Sequence, residues 1–234
     1  METNRWNLAQ IYEKNWWNNK KEGLSISFYK NFADLLIKDL DGILEIKQNT
    51  YILEIGSGAA GTITYVKSDN KYAIDPLEYY YSTVPEFTLD RDQKVNYYSG
   101  KGEDLPFDSG MFDLIIIDNV LDHCADPNKV FLEMERVLKP EGILYFRQNT
   151  YHFWGVMIRT LLEKIMFDKG HPFTFSKKYL EQLFPKFNFE ILKFSSNGYF
   201  TTWKKEFFSL NKKELAKALL FATRDKTLYI LKKQ

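Results

Sequence analysis

Tyr51-Ile52-Leu53-Glu54-Ile55 is a short apolar run that stops at glycines 56, 58 and 61. A strand running into such a turn lets the backbone approach a ligand with no Cβ in the way, and it opens the most constrained fold class a chain of this kind can adopt. The pattern then repeats. Lys71–Asp75, stopped by Pro76, reads as a second strand, Val95–Ser99 as a third, Phe112–Asp118 as a fourth and Gly142–Arg147 as a fifth. The fourth is the most apolar, as a central strand covered on both faces should be. Pro127–Leu138 has Val130, Phe131, Met134 and Val137 at helical spacing, and Lys139-Pro140-Glu141-Gly142 ends it. Strands alternating with helices predict an α/β fold, a mostly parallel sheet with helices on both faces that binds ligands at the carboxyl ends of its strands.

Before this core, residues 1–46 read as two helices, Trp6–Trp17 and Phe28–Leu44. After it, 148–175 holds an amphipathic helix, Trp154–Phe167, and reads as a substrate lid. Residues 176–234 complete the sheet, with Ser176 capping a helix Lys177–Phe184, strands at Phe187–Leu192 and Thr227–Leu231, and a helix Asn211–Arg224 between them. With no internal repeat, 1–234 is expected to be a single domain whose 51–147 stretch is the cofactor-binding core.

Lys and Arg number 32 against 31 Asp and Glu, which argues against a protein that holds nucleic acid or an anionic membrane by field strength. The N-terminal stretch lacks the apolar core of a secretory signal, and no apolar run approaches the roughly 20 residues of a membrane-crossing helix. The lone Cys124 has no internal disulfide partner, so a reducing cytoplasm is the expected location.

Glycines 56, 58 and 61, with Asp75 further on, fit a dinucleotide fingerprint, so an NAD(P)-dependent oxidoreductase is one reading. Glu54 opposes it, because a carboxylate beside the turn repels a pyrophosphate and attracts a cation. Two further segments lie where loops would line the same cleft: Gly100-Lys-Gly-Glu-Asp-Leu-Pro-Phe107, and Phe112–Asp118 running into Asn119-Val-Leu-Asp-His123-Cys-Ala-Asp-Pro127.

Taken in order, these motifs resemble the class I S-adenosylmethionine-dependent methyltransferases, in the branch acting on small molecules. The likeness covers roughly residues 51–147, and more loosely 171–234. It implies a Rossmann-like seven-stranded sheet with the last strand antiparallel, N-terminal helices, a helical insertion after the fifth strand, and S-adenosyl-L-methionine as cofactor. Glu54, Gly56, Ser57 and Gly58 would form the cofactor motif, with the glycine backbone against the methionyl part. Asp75 would hold the ribose hydroxyls, with Pro76 and Leu77 near the adenine. Gly102 and Glu103 match positions at the adenine edge, and Asp118 and Asn119 positions under the methionyl group and sulfonium. The sequence departs from the family in placing its third glycine at Gly61 instead of Ala60, and in Lys-Pro-Glu-Gly where Lys-Pro-Gly-Gly is common.

A hydroxyl acceptor needs a base, and His123, just beyond the fourth strand, is the candidate catalytic residue; the same position suits a packing histidine at a helix start. Asp122, His152 and His171 are alternatives. No metal-ligand set is evident in the sequence. The acceptor is expected to be a small molecule, and a noncatalytic methyltransferase-like subunit is a further reading. Aromatics reach 17%, and all 5 tryptophans fall outside 51–147. Tyr12, Trp16, Trp17, Trp154, His171 and Phe173 are therefore the candidate substrate pocket, against the plainer reading that these rings pack added helices onto the sheet.

Overall fold

A computed structural model describes residues 2–20, 27–164 and 172–234. Its frame is one sheet of seven strands: β1 (Tyr51–Ile55), β2 (Asn70–Asp75), β3 (Val95–Ser99), β4 (Phe112–Asp118), β5 (Leu138–Tyr151), β6 (Phe189–Ser196) and β7 (Arg224–Lys233). The spatial order is β3-β2-β1-β4-β5-β7-β6. The first five strands pair in parallel, and β7 inserts antiparallel between β5 and β6. The order reverses between β1 and β4, so the carboxyl ends of these two strands flank the crevice where such sheets take ligands.

Among the described residues the helices are α1 (Glu2–Lys20), α2 (Ser27–Asp39), α3 (Glu78–Tyr81), α4 (Pro85–Thr88), α5 (Pro127–Val137), α6 (Phe153–Lys164), α7 (Lys177–Leu183), α8 (Tyr199–Phe207) and α9 (Lys212–Leu219). The α5 start follows from Asp126, whose carboxylate accepts from the Asn128 and Lys129 N–H groups ahead of Pro127 in the first turn. Ser176 caps α7 by accepting from the Tyr179 N–H. Two cores form, one on each face of the sheet. Phe112, Ile115, Phe131, Phe146 and Tyr229 belong to one, and Leu36, Ile52, Ile63, Leu114 and Ile230 to the other. Each strand of the β1–β4 pair thus contributes side chains to both, which is why it reads as a continuous apolar run. No described helix is long and apolar enough to cross a membrane.

Several boundaries differ from the sequence expectation. The fifth strand is longer than Gly142–Arg147: the Lys-Pro-Glu-Gly stretch ends α5 but enters β5 as an irregularity, with the β4–β5 register shifting between Phe112 and Leu114 and Glu141 at φ 62°. The second helix stops at Asp39, five residues before Leu44, in a turn containing Gly42. The sixth strand starts at Phe189 because Asn188, at φ 58°, closes a 3-10 turn over Phe184–Phe187. Helix α9 ends at Leu219 and Arg224 already belongs to β7; α8 was not anticipated, and it packs on α9 through a hydrogen bond from Trp203 Nε1 to the Ala218 carbonyl at 3.0 Å. The expected end of the helix after Trp154, at Phe167, lies outside the described residues, and residues 148–151 continue β5.

Candidate active site

Where β1 ends, Gly56 donates to the Ile74 carbonyl of β2 at 2.8 Å and turns the chain at φ 71°. A Cβ at this position would lie 2.3 Å from the Val120 side chain, so only glycine lets the turn and the β4 loop close on each other. Asp75, at the end of β2, locks the turn from the neighbouring strand. Its Oδ2 accepts from the Gly58 N–H at 3.0 Å and its Oδ1 from the Leu77 N–H at 2.8 Å. Burial pushes the Asp75 carboxyl up to about 6 despite those two donors, and Glu13 and Glu78 add repulsion.

Glu54 does a second, local task. Its Oε1 accepts from Thr62 N–H at 3.1 Å and its Oε2 from Ile63 N–H at 2.8 Å, so it holds the 3-10 turn Thr62–Tyr65 that follows the glycines. The shifted third glycine follows from this: at Gly61, φ 78°, a Cβ would sit 2.6 Å from Glu54 Oε2. Burial pushes Glu54 up to about 8, with the two N–H donors pulling down and Asp118 pushing further up.

The loop after β4 is pinned by Glu103, whose Oε1 accepts from Ala125 N–H at 2.6 Å and Asp126 N–H at 3.2 Å. Asn119 takes the left-handed conformation at φ 57°, and its Oδ1 accepts from the Asn149 N–H at 3.1 Å and from the Asn149 amide. Asp118 pairs with Arg147 at 3.2 Å; burial raises its carboxyl and Arg147 opposes the rise. His123 closes the 3-10 turn Leu121–His123. Cys124 is buried with its thiol pushed up, the opposite of an activated nucleophile.

These elements enclose a cavity of about 540 Å³ at the carboxyl ends of β1, β2 and β4. Of the residues singled out in the sequence, it brings together Glu54, Gly56, Ser57, Gly58, Asp75, Pro76, Gly102, Glu103, Asp118, Asn119 and His123, with Tyr12, Trp16 and Trp17 from α1. Leu77 is not in the lining; it packs with Tyr80 and Val84 against the cluster formed by Tyr81 and Phe87. Trp154 is half exposed on α6, and Phe173 stacks on Phe175 against a sheet core; neither lines this cavity. His171 lies outside the described residues. Trp17 is both wall and core, edge-on to Tyr81 and Phe87 at 5.5 and 5.6 Å. The lining also includes Tyr29, which donates to the Ser57 carbonyl at 3.1 Å, and Phe32, both on α2; helical spacing marks Phe32 only as part of an apolar stripe and does not single out Tyr29.

The charge of the lining decides what it can hold. Glu13, Glu54, Asp75, Glu103 and Asp118 face it against the single guanidinium of Arg224. A cavity of that sign favours a cationic ligand and disfavours a pyrophosphate. Residues 53–146 match the family described as a methyltransferase domain. That match covers about two fifths of the chain, the stretch that runs from β1 through most of β5. An uncharacterized protein of Methanocaldococcus jannaschii is 37% identical over 84 residues, 36% of this chain and 41% of that one. The sarcosine/dimethylglycine N-methyltransferase of Halorhodospira halochloris is 28% identical over 112 residues, 44% of this chain and 38% of that one. The chain therefore spans about two fifths of the length of these two relatives. In fold, the chain is similar to the YcgJ protein of Bacillus subtilis, at TM-score 0.63 and 18% identity over 86% of this chain and 97% of that one. The methionyl and ribose ends of S-adenosylmethionine suit a cradle of glycine backbone with buried carboxylates, and the acidic lining suits its cationic sulfonium and ammonium groups.

Proposed function

We propose that the chain is a class I S-adenosylmethionine-dependent methyltransferase that transfers a methyl group to oxygen or nitrogen of a small-molecule acceptor in the cytoplasm. The acidic cavity at the β1–β4 switch point carries the reading, because it opposes the phosphate-binding alternative on the same glycine pattern. Bound there, the cofactor supplies a methyl on a sulfonium whose positive charge disappears as the methyl leaves. Asp75 keeps lone pairs beyond its two backbone donors, and these would accept from the ribose hydroxyls. Pro76 would flank the adenine, with Gly102 and Glu103 at its edge. The Gly56–Gly58 backbone would face the methionyl part. Glu54, Asp118 and Asn119 would lie toward its cationic groups.

The remaining task of the chain is to hold donor and acceptor in line and exclude water, an effect that reaches roughly 7–11 kcal/mol at best. A hydroxyl acceptor would give its proton to His123, the imidazole on the cavity wall; an amine already unprotonated would need no base. The exposed rings of Tyr12 and Trp16 at the α1 wall support a mouth for the acceptor.

Thermal shift with S-adenosylhomocysteine, NAD and NADP tests the donor. Stabilisation by the first alone is expected, and stabilisation by a nicotinamide nucleotide alone would overturn the reading. Turnover is then followed as S-adenosylhomocysteine release against hydroxyl and amine acceptors.

A further inference from the structure

Beyond the donor cavity, a second cavity of about 230 Å³ opens at the ends of β4, β5 and β7. The two share Phe32, Asp118, Asn119 and Arg224 in their linings, so the second is entered from the place where the methyl group would be presented. Three cations face it, Arg147, Arg224 and Lys226, against the one carboxylate of Asp118. Arg147 is already used: it pairs with Asp118 and lies over the Phe32 ring at 4.5 Å. Arg224 and Lys226 are two apart on β7, which puts both on one side of the sheet. Neither forms an ion pair among the described residues.

The nearby acids, of which Glu206 and Glu214 line a neighbouring cavity with Arg224 and Lys226, accept hydrogen bonds from other groups. Asp225 accepts from the Gly198 N–H at 3.0 Å, Glu206 from the Thr223 hydroxyl at 2.6 Å, and Glu214 from the Ser209 hydroxyl. Lys205 adds a further positive charge on the far side of Arg224 and Lys226. Burial lowers the Lys226 ammonium pKa, Arg224 and Arg147 lower it further, and Asp118 opposes them, so an added anion would favour the charged form. Polar groups complete the wall: Gln148, whose Nε2 donates to Asp122 at 2.9 Å, and Thr227, whose hydroxyl donates to the Gln148 carbonyl at 2.8 Å.

We propose that the methyl acceptor carries an anionic group, a carboxylate or a phosphate, and that Arg224 and Lys226 hold it in this second cavity. The site rests on the donor reading only for its role as the acceptor's anchor. A guanidinium and an ammonium lining one cavity match the oxygens of either anion, and charge-assisted contacts there would orient the acceptor's other end toward the donor cavity.

The test is NMR of the ¹⁵N-labelled full chain, with and without saturating S-adenosylhomocysteine, titrated with malonate, inorganic phosphate or the neutral malonamide. Saturable shifts at the Arg147, Arg224 and Lys226 amides are expected with an anion and not with malonamide, and whichever anion binds more tightly assigns the class. Replacing both cations, Arg224→Gln with Lys226→Gln, should weaken the anion at least about tenfold, while Lys226→Arg alone keeps it. No saturable shift from either anion, equal shifts from malonamide, or undiminished binding in the double variant would each overturn the proposal. Anion shifts in a chain that fails to bind S-adenosylhomocysteine would instead refute the donor reading and leave an anion site without an acceptor role.

Discussion

Loading the donor cavity with a cationic ligand should release close to one proton at pH 7. In the free protein Glu54 titrates at about 8 and Asp75 at about 6, so at neutral pH roughly nine-tenths of Glu54 and roughly one-tenth of Asp75 hold a proton. A unit positive charge roughly 5 Å from the Glu54 carboxylate, at an effective dielectric near 20, is worth ~3 kcal/mol, or ~2 pH units. That is enough to bring Glu54 to the ionised side of pH 7. Affinity for S-adenosylmethionine should therefore rise by about tenfold or more between pH 6 and 8 and then level off. Titration calorimetry in buffers of different ionisation enthalpy reads the released protons as a slope, and Glu54→Gln should abolish most of it. A slope of zero in the wild-type chain, or one that survives in Glu54→Gln, would refute the coupling. The same shifts act on folding with the opposite sign. Between about pH 4 and 8 the folded, ligand-free chain holds protons on Glu54 and Asp75 that the unfolded chain has lost. Their contribution to stability is therefore greatest at low pH and falls as pH rises through that window.

Three substitutions separate the roles of neighbouring residues. Asp75→Asn turns an N–H donor toward Gly58 or Leu77 and removes the charge offered to the ribose, so S-adenosylhomocysteine affinity should fall by about tenfold to a hundredfold in calorimetry. Gly61→Ala places a methyl against the Glu54 carboxylate in a left-handed backbone, and chemical denaturation should show a loss of ~1–3 kcal/mol or more. Trp17→Ala removes a buried ring from the Tyr81–Phe87 cluster and should cost ~3–5 kcal/mol, whereas the more exposed Trp16→Ala should leave the melting temperature within a few degrees. Equal losses from the two tryptophans would contradict their different burial.

The sheet was legible because its signals are local. The β1, β3 and β4 boundaries fall where the apolar runs begin and end, since each strand is bounded by a residue unsuited to continue it. The misplaced boundaries share a different cause. Glu141 and Asn188 are non-glycine residues in left-handed conformations, held by the strands and turn around them; Asn tolerates that region, but nothing in a glutamate side chain announces it. Glu54 shows the same limit within the site. Its place at the end of β1 identifies a carboxylate facing the cleft, but its bonds to Thr62 and Ile63 depend on how the glycine turn folds back.

The aromatic rings and the basic cluster show where sequence reading stops and what can extend it. That Trp17 and Trp154 lie outside the sheet follows from their positions in the chain. That one is buried beside the cavity and the other half exposed on α6 follows only from helix orientation. The basic cluster was closer to being readable. Antiparallel pairing of β7 with β5 sets Asn149 beside Lys226 and Tyr151 beside Arg224, across a sequence gap that no local pattern bridges. Yet an antiparallel strand in an otherwise parallel sheet must begin at the edge where its neighbours end. Once the last strand is expected to run antiparallel, the residues just ahead of its expected start at Thr227, Arg224 and Lys226, belong at the carboxyl-end crevice, and two cations there would constrain the acceptor more directly than any of the tryptophans.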